Sequence, residues 1–149
     1  MLELKLMLPA VAKNKMGNHL HLVKSKNTVP ELILRKHLWR VGLRYRLYYS
    51  KLPGKPDIVF VGKKVVIFVH GCYWHRHDCG RAFLPKTNSD FWQSKFLRNI
   101  QRDEENYRLL ASMGWKVLIL WECEIRKNVD DCIEKVKNLL ALAKKTVIC

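Results

Sequence analysis

The sequence predicts an α/β domain in which helices cover both faces of a small mixed sheet. Short apolar runs rich in β-branched residues, typical of buried strands, alternate with longer segments of helical periodicity. These elements follow the order α-β-β-β-α-β-α, which places helices on both sides of a sheet. With 149 residues, 48% of them hydrophobic, the chain has the size and core content of one domain.

The first helix is predicted to begin at Thr28, because Thr28 and Glu31 form the pattern of a capping box. Apolar residues continue at helical spacing to Val41, and Gly42 supplies the stop. Residues 43–49 then alternate apolar side chains with arginines, a pattern typical of a half-buried strand.

Two β-branched runs, 57–61 and 64–70, are joined by Gly62-Lys63 and predict a tight hairpin. The next segment, 71–86, has no periodicity. Three regular elements are predicted after it: a helix over about 90–113, a buried strand over 115–122 and a last helix over about 129–144.

The charge is strongly basic: 28 Lys and Arg residues against 13 Asp and Glu residues give +15. Before Asp57, 12 basic residues face only Glu3 and Glu31. Such an excess favours a nucleic acid as partner, because each neutralised phosphate releases counterions. The alternatives are a charge that keeps the protein soluble and attraction to an anionic membrane. We interpret residues 1–27 as a basic arm that becomes ordered on its partner, and 28–149 as a single domain.

Localisation is predicted to be cytoplasmic, with association with the nucleoid when DNA is bound. No apolar run approaches the roughly 18 residues that a membrane span needs, so no membrane contact is expected. Five cysteines are an odd number without the density of a disulfide scaffold. Near histidines, they indicate metal binding in a reducing compartment.

A structural zinc site is predicted from Cys72, His77 and Cys79, with Cys123 as the fourth ligand after the last predicted strand. Thiolate and imidazole ligands suit tetrahedral Zn²⁺, and four protein ligands leave no open position for chemistry. We expect this zinc to lie remote from any reaction. The alternative is a set of buried free thiols beside an incidental histidine.

A second set of residues has the chemistry of a hydrolytic site. Asp57 opens one strand and His70 ends the next, so the two are expected at adjoining positions. Asp57 can bind Mg²⁺ through oxygen, and His75 can remove a proton from water. Glu31 is a further candidate carboxylate. The alternatives are that Asp57 is a turn residue and that Glu31 only caps the helix.

Aromatic side chains stand beside both sets. Tyr73 and Trp74 lie in the irregular segment, and Trp92 opens the long helix; Trp74 and Trp92 are interpreted as DNA contacts, because large rings on a basic surface stack on bases. Phe91 is interpreted as core. So are three tryptophans in periodic segments: Trp39, Trp115 and Trp121. On the same long helix, the arginines are equally consistent with a solvated face paired with Asp103 and its acidic neighbours.

Over roughly residues 18–126 the chain resembles the very-short-patch-repair (Vsr) DNA mismatch endonucleases. The matching strings, in the family's order and spacing, are K-N-T-V-P-E-L at 26–32, L-P-G-K-P-D-I-V-F at 52–60, V-I-F-V-H-G-C-Y-W-H-R-H-D-C at 66–79, P-K-T-N at 85–88, F-W-Q-S-K-F at 91–96, R-D at 102–103 and G-W-K-V-L-I-L-W-E-C-E at 114–124.

The resemblance implies a restriction-endonuclease-like fold and an enzyme that nicks one strand beside the thymine of a T·G mismatch, with Mg²⁺ for catalysis and Zn²⁺ for structure. It implies roles residue by residue: Asp57 as the metal-binding carboxylate, His75 as base or water-positioning group, His70 and Glu31 as holders of the metal's waters, the Val69 carbonyl as a metal ligand, Cys72, His77, Cys79 and Cys123 as zinc ligands, and Tyr73, Trp74 and Trp92 as aromatics that intercalate beside the mismatch.

This sequence departs from the family pattern at three of these positions. Tyr73 stands where Phe is common, and Leu20 and Val23 replace a Met and an Ile that reach into the minor groove. A monomer acting on double-stranded DNA is expected, with a functional link to a cytosine-5 DNA methyltransferase. The alternatives are a related restriction-type endonuclease of other specificity and a non-catalytic, zinc-stabilised DNA-binding module.

Overall fold

The computed structural model describes residues 26–80 and 84–147, with side chains to residue 143. Leu20, Val23 and almost all of the predicted basic arm therefore lie outside the described residues. The elements, in chain order, are helix α1 (Val29–Arg40), strand β1 (Ile58–Phe60), a 3₁₀ turn (Val61–Lys63), strand β2 (Val65–His70), helix α2 (Ser89–Ser112), strand β3 (Lys116–Trp121), helix α3 (Glu122–Lys127) and helix α4 (Val129–Val147).

The three strands form one mixed sheet in the order β1-β2-β3. Strand β1 runs antiparallel to β2, with Ile58 opposite Ile67. Strand β3 runs parallel to β2, and His70 is paired with Trp121 where both strands end. The start of β1 and the carboxyl ends of β2 and β3 therefore meet at one end of the sheet.

Helices cover both faces of this sheet, as the sequence predicts. Strand β2 alternates its side chains between the two faces. Ile67 packs in a core with Leu34 of α1 and Val136 of α4. Phe68 points the other way, into a smaller core with Leu110 of α2. The site described below lies at the end of the sheet, between these two cores.

Several details of the predicted secondary structure are wrong. Residues 43–49 do not form a strand: their only pairing is a single antiparallel bridge between Arg46 and Val59, and Tyr48 then adopts a left-handed conformation (φ 54°) that extended chain does not allow. The β1–β2 connection is a 3₁₀ turn followed by Lys64 at φ 52°, longer than the predicted two-residue loop. Trp39 is not core, because 56% of it is exposed.

The prediction also missed helix α3, which starts directly where β3 ends. The predicted strand over 115–122 is shorter by one residue at each end, because Glu122 already belongs to α3. Among the described residues no helix is long and apolar enough to cross a membrane.

Candidate functional site

Asp57 lies at the end of the sheet where β1 begins, and its position is fixed by two hydrogen bonds. Its backbone N–H donates to the carbonyl of Ile67 (3.0 Å), and its Oδ2 accepts from the backbone N–H of Val69 (2.7 Å). Burial, opposed by that hydrogen bond and reinforced by the charge of Glu31, raises the pKa of Asp57 to about 6. A bound cation would supply the counter-charge that this buried carboxylate needs.

Glu31 is buried (3% exposed) in the first turn of α1. Its carboxylate accepts hydrogen bonds from the Asn27 N–H (3.0 Å), the Thr28 hydroxyl (3.1 Å) and the Arg35 guanidinium (2.8 Å). Thr28 also caps the helix by accepting from the N–H of Glu31. The capping role therefore exists, and the charge of Glu31 also acts on Asp57. The two sequence interpretations of Glu31 are compatible.

The two histidines at this end of the sheet are stacked on each other, with ring centroids 3.7 Å apart and planes inclined by 16°. His75 Nδ1 lies 2.6 Å from Asp103 Oδ2. His70 Nε2 is hydrogen-bonded to the hydroxyl of Tyr107. Ligand atoms of His70, His75 and Asp103 all lie within 4.8 Å of one another, so this is a compact cluster of two imidazoles and a carboxylate.

The protonation states in this cluster follow from burial and charge. Burial, with the nearby His75, lowers the pKa of His70 to about 3, so the His70 ring is neutral at physiological pH. Burial acts to raise the pKa of Asp103, but the hydrogen bond and charge of His75 outweigh it and hold that pKa below its usual range. Ionised Asp103 only accepts, so His75 Nδ1 carries a proton and its Nε2 is the nitrogen free to take one.

Asp103 and Tyr107 lie one turn apart on α2 and were missed as functional residues. Asp103 was interpreted as a partner of surface arginines; Arg102 does approach it, at 3.7 Å, but is mostly exposed. The R-D string at 102–103 and the i, i+4 spacing of Asp103 and Tyr107 were the available signals. Neither shows that this helix face meets the imidazoles.

The four predicted zinc ligands are brought together. One ligand atom from each lies within 4.8 Å of all the others: Cys72, His77, Cys79 and Cys123. His77 Nδ1 is 3.4 Å from the Cys123 sulfur, which α3 supplies from its first turn. Burial raises the pKa of Cys72 to about 12, so it needs a cation to become a thiolate. Cys132 is buried in the larger core, apart from this set.

Trp121 connects the cysteine cluster to the histidine cluster. Its ring stacks on His77, with centroids 4.2 Å apart and planes 7° apart, and its centroid is 5.5 Å from that of His70. The expectation that the cysteine cluster lies remote from the other candidate site is therefore wrong. The two clusters are neighbours, because both grow from the last residues of β2 and β3.

The aromatic residues of the irregular segment pack against the start of α2. Trp92 is 3% exposed, is stacked on Phe96 (6.0 Å) and lies 6.3 Å from Trp74. Tyr73 and Trp74 are half-buried, and the Lys95 ammonium is 5.3 Å from both indoles. In this arrangement Trp92 has little surface to offer a partner, so the predicted DNA contact requires it to leave this packing.

The largest cleft lies elsewhere, between the β1–β2 turn and α4, and has a volume of about 500 Å³. It contains none of the residues above. A polymer such as duplex DNA is bound on a surface and does not need a deep pocket.

Comparison with known proteins gives the class of protein first. A type II nicking enzyme of Xanthomonas oryzae pv. oryzae is 47% identical over 118 residues, which cover 79% of this chain and 86% of that protein. A type II nicking enzyme of Neisseria meningitidis serogroup A is 42% identical over 125 residues, or 84% of this chain and 89% of that protein. This chain is a nuclease.

The family follows from two further matches. The family model "DNA mismatch endonuclease Vsr" matches residues 10–81. The DNA mismatch endonuclease Vsr of Escherichia coli K12 is 37% identical over 110 residues, which cover 74% of this chain and 70% of that protein. The chain belongs to the Vsr family of DNA mismatch endonucleases, as the sequence motifs indicate.

Proposed function

We propose that this nuclease recognises a T·G mismatch in double-stranded DNA and nicks one strand beside the thymine, initiating very short patch repair. The observation that carries the proposal is the placement of Asp57, His70 and His75 at one end of the sheet, with the charge of His75 acting on Asp57. Membership of the Vsr family supports both the substrate class and a restriction-endonuclease-like fold.

The residues present fit a magnesium ion. Asp57 is a buried carboxylate with no cation bonded to it among the described residues, one of its oxygens is taken by Val69, and the Val69 carbonyl is a further oxygen donor nearby. Asp57 and the Val69 carbonyl would hold the ion, with Glu31 and His70 around it. When bound, Mg²⁺ would polarise the scissile phosphate and make water a stronger nucleophile.

The chain's own residues supply the proton transfer. His75 Nε2 takes the proton of the attacking water, because Nδ1 is already committed to Asp103. Asp103 orients the ring and stabilises its positive charge once the proton has arrived. The stacked His70 ring stays neutral and so adds no competing charge.

We further propose that Cys72, His77, Cys79 and Cys123 hold a structural Zn²⁺. The chemistry of the donor set supports it: three sulfurs and one imidazole nitrogen within 4.8 Å of one another match tetrahedral zinc. The ion would fix the irregular segment after β2 to the end of β3, where Trp121 stands between the two clusters.

DNA contact is proposed for Tyr73, Trp74 and Trp92, and for Leu20 and Val23 in the minor groove. The net charge of +15 supports a polyanionic substrate. The proposal includes a monomer working in the cytoplasm. It also includes a functional link to a cytosine-5 DNA methyltransferase, whose methylated product yields thymine on deamination.

The test is a labelled duplex with one T·G pair, compared with its T·A counterpart, incubated with and without Mg²⁺. We expect one nick in the T·G duplex, only with the cation, and none with Asp57→Asn. The matched control is Asp130→Asn, an exposed carboxylate at the start of α4. Equal nicking of both duplexes would instead support a restriction-type enzyme. Binding without cleavage under any divalent cation would support a DNA-binding module.

A further inference from the structure

The hydroxyl of Tyr107 is hydrogen-bonded to Nε2 of His70. Tyr107 comes from α2, one turn after Asp103, and its ring packs edge-on against Phe68 at 5.3 Å. We propose that Tyr107 is a positioning residue: it donates to His70 Nε2, holds the ring in the tautomer with the proton on Nδ1, and so makes His70 a hydrogen-bond donor in the nicking reaction. This inference rests on the proposed function.

The direction of this hydrogen bond follows from the two partners. A neutral imidazole has one accepting and one donating nitrogen, whereas a phenol is a strong donor and a weak acceptor. Among the described residues the Tyr107 hydroxyl has no other acceptor. If it accepted from Nε2–H, its own proton would be left without a partner in a half-buried position, which costs free energy. The O–H therefore donates, and His70 keeps its single proton on Nδ1.

The consequence is that one helix gives two stacked imidazoles opposite roles. Asp103 takes the Nδ1 proton of His75 and leaves Nε2 as the basic nitrogen. Tyr107 occupies Nε2 of His70 and leaves Nδ1–H to donate to an oxygen of water or phosphate. A carboxylate at 103 and a phenol at 107 thus distinguish two rings whose centroids are only 3.7 Å apart.

The first experiment measures the tautomer of His70 by ¹⁵N NMR of the zinc-loaded protein without magnesium or DNA, with the signal assigned through a His70→Gln sample. We expect a protonated Nδ1 and an unprotonated Nε2 in the wild type. Tyr107→Phe removes only the hydroxyl and is expected to give a mixture of tautomers. The control is Tyr49→Phe, a tyrosine packed against the same small core whose hydroxyl bonds to none of the described residues.

The second experiment measures single-strand nicking of the T·G duplex by the same proteins. For Tyr107→Phe we expect kcat to fall on the order of tenfold, with KM for DNA within about twofold of wild type, because the lost interaction acts on the reacting groups rather than on binding. Tyr49→Phe is expected to behave as wild type. Wild-type Zn²⁺ content in all three proteins shows that the neighbouring cluster is intact.

The outcomes separate the two proposals. A wild type with its His70 proton on Nε2 overturns the inference, whether or not Tyr107→Phe folds. So does an unchanged tautomer in Tyr107→Phe, an unchanged kcat, or an equal loss in Tyr49→Phe. A wild type that does not nick the T·G duplex defeats the proposed function instead, while the NMR result still decides the hydrogen bond.

Discussion

The Asp57 carboxylate accepts a 2.7 Å hydrogen bond from the backbone N–H of Val69, across the first two strands of the sheet. This bond uses one carboxylate oxygen and leaves the other for a cation. It also sets the direction of the side chain before any ion arrives. The cost is visible in the electrostatics, because burial raises the pKa of this carboxyl to about 6.

The first prediction concerns stability. The pKa of Asp57 is higher in the folded protein than the unfolded value of 3.8, so folding favours the protonated form and stability falls as pH rises from about 4 through about 6. In magnesium-free buffer, Asp57→Asn is therefore expected to be more stable than wild type at pH 8 by about 1–3 kcal/mol. Thermal unfolding at pH 8 and pH 4 measures this, and the difference should vanish at the lower pH. An equal difference at both values would contradict it.

The second prediction concerns magnesium activation. Below pH 6 a proton competes with the cation for Asp57, so the half-saturating Mg²⁺ concentration is expected to rise by roughly tenfold per pH unit. Nicking rates measured across Mg²⁺ concentrations at pH 5.5 and pH 7.5 provide the comparison. The same half-saturation at both values would show that Asp57 does not carry the metal.

The third prediction concerns Asp103. Asp103→Asn removes the negative charge that holds His75 Nδ1–H and supports the protonated ring, so kcat for nicking is expected to fall by about 100-fold or more. The matched control is Glu104→Gln, an exposed neighbour on the same helix, which should keep wild-type kcat. A comparable loss in both variants would mean that general charge, and not the contact to His75, is responsible.

The fourth prediction concerns zinc. Cys72→Ala is expected to lose the ion and to be destabilised, because the buried Cys72 sulfur lies within 4.8 Å of the other three ligand atoms. Cys132→Ala also removes a buried sulfur but should retain one equivalent of Zn²⁺. Metal analysis of the purified proteins and their thermal unfolding make the comparison. Retention of zinc by Cys72→Ala would remove that residue from the ligand set.

The fifth prediction concerns the aromatic residues. Trp74→Ala is expected to weaken binding to the T·G duplex by roughly 5- to 150-fold, the range that about 1–3 kcal/mol of base stacking supports. Trp39→Ala removes a 56% exposed indole at the far end of α1 and is expected to leave affinity unchanged. Fluorescence anisotropy with a labelled duplex measures both. Equal affinities would exclude stacking by Trp74.

The parts of the site that the sequence predicts correctly depend on chain neighbours or on strand ends. Cys72, His77 and Cys79 are close in the chain, and Cys123 follows the strand that pairs with β2, so their grouping needs little knowledge of packing. The pairing of Asp57 with the end of β2 follows from the hairpin in the same way.

The missed parts depend on long-range packing. Asp103 and Tyr107 meet the imidazoles only because α2 lies against the sheet with that face inward, and periodicity does not fix this rotation when several faces are charged. Residues 43–49 have a strand's alternation, but only Arg46 finds a partner in β1. Trp39 has the spacing of a core residue, yet it lies beyond the sheet, beneath the guanidinium of Arg44.

Helix α2 is continuous from Ser89 to Ser112, with Trp92 in its first turn and Asp103 near its middle. At 1.5 Å per residue the two lie about 16 Å apart along one stiff rod. Any tilt that frees the indole from its packing therefore also displaces the carboxylate that orients His75. Contact with a distorted base pair and readiness for strand scission are thereby coupled mechanically, without a separate relay between them.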